Sequence, residues 1–175
     1  DAQGEVAESD ELDNVRATAA PIQVAVPPRP NLVVQSFSFT PASVDSGLAI
    51  TVTDTVANVG PGAALGFDVE VFLSPDSNVT REDVSLGFRS LAALASGASD
   101  TSGGALTIPL ETSGGTYWLG AFADPGLDVA EENEADNLLV AATQLVVTVP
   151  PRPDLVPEAL SFTPATADTT LGTVV

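Results

Sequence analysis

Two stretches of this sequence crowd oxygen-bearing side chains closely enough to hold a hard cation. The first is DPGLDVAEENEADN, residues 124–137, with Asp124, Asp128, Glu131, Glu132, Glu134 and Asp136 in a single acidic run that ends on Asn137. Carboxylates crowded this way hold their protons to higher pH unless a cation relieves the repulsion. Five of them, Asp124, Asp128, Glu131, Glu134 and Asp136, are candidate calcium ligands. In the competing structural reading, Asn137 and its neighbours bond backbone amides and hold a turn. The second stretch is SPDSNVTRED, residues 74–83, where Asp76, Asn78, Thr80 and then Asp83 follow the alternating pattern of a calcium loop. It lacks the glycine and distal glutamate of an EF-hand, and an ordinary Asx-rich hairpin turn accounts for the same residues. Asn78-Val79-Thr80 also fits the N-glycosylation pattern.

Other chemistries are thinly supplied. The chain has no His and no Cys; its five basic residues are all Arg, against 24 acidic residues and a net charge of -19. Without Lys, His or Cys the usual general bases, amine nucleophiles and thiolate or imidazole ligands are missing. The carboxylates fall in turn-like stretches with no evident cleft for a paired-carboxylate hydrolase, so the reading is not an enzyme. So acidic a surface also argues against nucleic acid and anionic membranes as partners. It favours cations, a saline medium or solubility by repulsion.

The elements that must carry these loops read as strands throughout. Residues 31–41, 48–60, 66–75, 84–91, 104–110, 115–124 and 137–149 are apolar, alternating or β-branched runs, punctuated by Gly, Pro, Asn, Asp and Ser. No stretch carries helical period with capping signals. About seven strands in 120 residues predict an all-β fold, an antiparallel sandwich of the immunoglobulin or fibronectin type. Tyr117 sits where such folds place a corner tyrosine, and Trp118 is expected to pack on the sheet, with sugar stacking as the alternative. In 48–60, Leu48, Ile50, Val52 and Val56 share the inward phase, and Asp54 falls among them. A lone inward carboxylate is costly; a bulge or an edge position is the expected escape, pairing with an arginine the alternative. The Ser/Thr-rich 95–104 reads as an exposed flexible loop open to O-linked sugar.

The chain also repeats itself. At a shift of 123 residues VPPRPNLVVQSFSFTPASVD, from Val26, meets VPPRPDLVPEALSFTPATAD, from Val149, and about half of all overlapping positions are identical without a gap. The acidic run recurs as Asp1, Glu8, Glu11, Asp13 and Asn14, with Glu5 opposite Asp128. This is the signature of a tandem array. Residues 1–26 are then the end of one repeat, 27–149 a complete one, and 150–175 the start of the next. With no Met and no hydrophobic run of spanning length, the sequence reads as a window on a longer exported protein. The junctions Val26, Pro27, Pro28, Arg29, Pro30 and Val149, Pro150, Pro151, Arg152, Pro153 hold three prolines in four residues, which favours a short semi-rigid strut.

The order of these features resembles the CARDB family, the cell-adhesion-related domain of bacteria and archaea. The likeness rests on PNLVVQSFSFTPASVDSG, ITVTDTVANVGPGAA, VEVFLSPD and above all GGTYWLGAFADPGLDVAEENEADN. It implies a fibronectin-like sandwich, usually in tandem, in large secreted or surface-bound proteins, and no single ligand. Together with the repeat, the expectation is a structural segment of an extracellular filament, stalk or adhesin shaft on a bacterial or archaeal surface. Each flank would pack against a neighbouring copy, with strand donation between subunits as another route to the same fibre. The alternative is a ligand- or carbohydrate-binding accessory module of a secreted surface protein or enzyme. No cofactor is required, and calcium is the candidate ion.

Overall fold

The cleanest alternation in the sequence builds the centre of one sheet. The computed structural model describes residues 6, 7, 9, 17–151, 153–161 and 163. In it β3 (Ala49–Asn58) lies between β1 (Leu32–Thr40) and β6 (Ser99–Thr107), antiparallel to both. Ile50, Val52 and Val56 face the core as their period-2 spacing requires. Leu48, expected on the same face, precedes the strand and is 56% exposed.

The second sheet runs β2 (Ser43–Asp45), β9 (Leu145–Thr148), β7 (Gly115–Ala123), β4 (Ala64–Ser74), β5 (Val84–Leu94), with β8 (Leu138–Val140) also paired to β7. Phe67, Val69, Val71 and Leu73 from β4, with Leu119 and Ala121 from β7, pack against the first sheet to form the main core. Phe72 and Phe122 point to the opposite face, ring edge to ring face at 5.6 Å. There they form a smaller cluster with Val79, Trp118, Leu138 and Val140. Trp118 therefore packs on the sheet, as its sequence setting suggested. The Tyr117 hydroxyl donates to the Ser113 carbonyl at 3.0 Å, a bond from the start of a strand back to backbone a few residues upstream that marks a corner tyrosine.

The sandwich is all-β, and among the described residues there is no helix, so none long and apolar enough to cross a membrane. Among the described residues nine strands replace the expected seven or so. The chain crosses between sheets at Pro41 and adds β2, which runs parallel to β9 in an otherwise antiparallel fold. The run 137–149 breaks into β8 and β9 at the polar Thr143 and Gln144. Residues 99–104, expected as a loop, are the first two thirds of β6. Their polar side chains are used there: Thr101 shares a 2.9 Å hydroxyl bond with Thr55, and Asp100 pairs with Arg89.

Asp54 is neither bulged outward nor on an edge. It is 3% exposed in the middle of β3, and Arg89 of β5 reaches across the sandwich to it. Arg89 Nη2 lies 2.6 Å from Asp54 Oδ1, and Nε lies 3.2 and 3.3 Å from the two carboxylate oxygens. Arg89 Nη1 binds Asp100 Oδ1 at 2.7 Å. Burial alone would lower the guanidinium's pKa; the bonds and charges of Asp54 and Asp100 outweigh it and hold the value above the ordinary arginine range.

Candidate functional site

The acidic run leaves β7 through a turn in which Asp124 and Leu127 take positive φ, 48° and 57°. Asp124 is wholly buried and holds this turn. Its Oδ1 accepts the Asp128 amide at 3.0 Å and its Oδ2 the Val129 amide at 2.9 Å. Farther along, Glu131 is 3% exposed; its Oε2 accepts the Leu32 amide at the start of β1, and its Oε1 accepts Asn137 Nδ2 at 2.6 Å. Glu134 Oε1 accepts the Glu131 amide at 2.9 Å. These bonds gather one carboxylate oxygen each from Asp124, Glu131 and Glu134 within 4.8 Å of one another. The other two candidates stand apart. Asp128 is exposed and contributes its amide, and Asp136 Oδ2 accepts Asn31 Nδ2 at 3.2 Å.

Burial raises the Glu131 carboxyl above its ordinary 4.5. The Leu32 and Asn137 bonds oppose the rise, and the charges of Glu134 and Asp124 add to it. Arg29 Nη1 donates to the Glu131 backbone carbonyl at 3.5 Å rather than to its carboxylate.

The same loop grips the incoming chain. Glu132 N donates to Pro30 O at 2.9 Å and Asn133 N to Asn31 Oδ1 at 3.2 Å. On the other side Gly62 N donates to Arg29 O at 2.9 Å and Val59 N to Asn31 O at 2.8 Å. Residues 28–32 are thus held between the acidic loop and the turn at 59–62. Two glycines permit the approach: a Cβ on Gly60 would lie 2.4 Å from Asn31 N, and one on Gly62 2.3 Å from Pro28 O. Asn58, wholly buried, ties the turn together. Its Oδ1 accepts the Asn31 and Gly60 amides, and its Nδ2 donates to Gly62 O and Leu94 O. Asn58 and Gly62 were not singled out in the sequence. The signal was an asparagine closing an alternating strand, one residue ahead of Gly60-Pro61-Gly62.

Of the predicted junction residues, Pro30 is buried, Pro150 half-buried, and Val26, Pro27, Pro28, Arg29, Val149, Pro151 and Pro153 are exposed. Arg152 lies outside the described residues, as do Asp1, Glu5, Glu8, Glu11, Asp13 and Asn14. The 74–83 loop is built as a turn. Asp76 Oδ1 accepts the Asn78 amide at 2.8 Å, and Asp83 Oδ2 accepts the Thr80 amide and hydroxyl at 2.7 and 3.1 Å. Asn78 itself is exposed.

The profile of the CARDB family matches residues 29–141. The chain belongs to the CARDB family. CARDB is a non-catalytic, cell-surface-associated and adhesion-related domain. A Pyrococcus furiosus CARDB domain, crystallised in complex with di-metal ions, has 17% identity and a TM-score of 0.52, covering 72% of this chain and 100% of that one. A solution structure of a Pyrococcus furiosus CARDB domain gives 19% identity and a TM-score of 0.51, covering 70% and 98%. A domain of a candidate cell surface protein from Methanosarcina acetivorans gives 22% and 0.48, covering 69% and 93%. At these identities the likeness is one of fold. No curated protein matches the sequence.

Proposed function

We propose that this chain is a segment of an extracellular tandem-repeat protein whose CARDB units are strung into a stiff filament, stalk or adhesin shaft. The observation that carries this reading is the clamp on residues 28–32. The connector that repeats 123 residues later as residues 151–155 is fastened to the sandwich it enters by backbone bonds on both sides. A joint held that way sets a direction as well as a spacing, and each unit then touches mainly its neighbours.

The flanks support the same reading. Ile22 and Val24 stand opposite Leu145 and Val147 in the repeat, and Leu155 and Leu160 opposite Leu32 and Phe37. All four domain residues are buried, whereas their flank counterparts are 84%, 87%, 88% and 93% exposed. Residues 1–26 and 150–175 are pieces of adjoining repeats that bury these side chains in the array. The sandwich needs no cofactor in this reading. Electron microscopy of the parent protein on its native surface tests it. Fibres with an axial period on the order of 40–50 Å, one strand length plus the strut, are expected; discrete particles would overturn it.

A second reading, a ligand- or carbohydrate-binding accessory module, draws on one feature. A cleft of about 200 Å³ opens between β5 and β6, with Phe88 66% exposed beside Arg89. Glycan binding abolished by Phe88→Ala would favour it.

A further inference from the structure

We propose that Asp124, Glu131, Glu134 and the side-chain carbonyl of Asn137 form a calcium site that locks the acidic loop onto the incoming connector. Three carboxylates alone would be a charge cluster and no more. What points to a ligand is Asn137. It is 1% exposed, and among the described residues its Oδ1 has no hydrogen-bond partner. Its orientation is fixed, because Nδ2 donates to two acceptors, Ala123 O at 3.1 Å and Glu131 Oε1 at 2.6 Å. Turning the amide over would set oxygen against oxygen at both. The bond to Glu131 also keeps the orphaned carbonyl beside the carboxylate cluster. Buried Asn58 shows the contrast, with both ends of its amide fully bonded. A buried acceptor left bare forfeits its hydration, and an ion shared with the three carboxylates restores it.

The dimensions suit calcium. Ligand oxygens on opposite sides of a calcium ion stand about 4.8 Å apart at a bond length of about 2.4 Å, and calcium, unlike magnesium, accepts an irregular set of six to eight oxygens. The gathered oxygens lie within 4.8 Å of one another. Each carboxylate oxygen accepts through more than one lone pair, so the amide bonds at Asp124 and Glu131 leave room for metal. Four protein oxygens plus water complete the six to eight that calcium takes.

The repeat adds an independent sequence observation. Asp124, Glu131, Glu134 and Asn137 stand opposite Asp1, Glu8, Glu11 and Asn14, all four identical, in an overlap that is only half identical. The neighbouring Asp128, Glu132 and Asn133 all differ from their counterparts. Since Glu131 also receives the Leu32 amide, the ion would fix the start of β1. That stiffening of the joint rests on the stalk reading; the binding itself does not.

The test is calorimetric titration and thermal melting of this chain with calcium and with magnesium after chelator treatment. Calcium is expected to bind with a dissociation constant near or below about 1 mM, as extracellular modules do, and at saturation to raise the melting temperature by roughly 5 °C or more. Glu134→Gln, at an exposed position, is expected to weaken calcium at least about tenfold without lowering its chelator-state melting, since Gln keeps the acceptor for the Glu131 amide and removes a like charge. Asp83→Asn is expected to leave affinity unchanged. No binding, equal response to both ions, or binding undiminished by Glu134→Gln would each overturn the proposal. None of these outcomes bears on the axial period of a fibre.

Discussion

Arg89 is the side chain whose loss this fold should feel most sharply. Among the described residues it is the only cation bonded to Asp54, whose carboxylate is buried against Val52 and the inner face of β4. Removing one partner of a buried pair leaves the other charge stranded, which costs about 3–5 kcal/mol. Arg89→Ala should lower the unfolding free energy by about that amount in urea titration. The double variant Asp54→Val with Arg89→Leu should recover most of the loss, since apolar replacements of a buried pair are often neutral. Glu131 answers to pH instead. Its carboxyl is raised in the folded chain, so folding takes up a proton between the ordinary 4.5 and the higher folded value. Stability contributed by that proton is present below this window and lost as pH rises through it. In chelator, wild type measured against Glu131→Gln should therefore lose stability as pH rises from about 4.5, in urea melts at successive pH values. A difference that grows in the opposite direction would contradict the burial of this carboxyl.

At the scale of elements, the clamp depends on two glycines for space rather than for positive φ. Gly62→Ala puts a methyl within 2.3 Å of Pro28 O, against backbone that cannot yield as a side-chain tip does. The cost expected is about 1–3 kcal/mol, with faster hydrogen exchange at the Asn31 and Leu32 amides as the local readout. Strands such as β3 and β4 were legible in the sequence because each buries an alternating apolar set. The first two thirds of β6 were not: SDTSGG has little to bury. It is a strand because β3 offers it a ladder and because Thr101 and Asp100 find Thr55 and Arg89. Asp54 was seen to be inward, but its partner lies 35 residues away on the facing sheet, a separation that one strand's alternation cannot bridge. Likewise the acidic loop announced its carboxylates, while their division into buried Asp124 and Glu131 and outlying Asp128 and Asp136 needed β1 to be in place.

Over the whole molecule, the proposed array combines an acidic, self-repelling surface with joints that would set a direction. A net charge of -19 opposes collapse of units on one another at low salt, and in the proposed array the clamp at residues 28–32 would keep successive sandwiches in line. The most direct measurement is small-angle scattering on one, two and three concatenated copies of the 123-residue period. If the joints are stiff, the maximum dimension grows by the same increment with each copy, on the order of 40–50 Å. A dimension that grows far less than linearly, as for units swinging on a loose tether, would contradict the stalk.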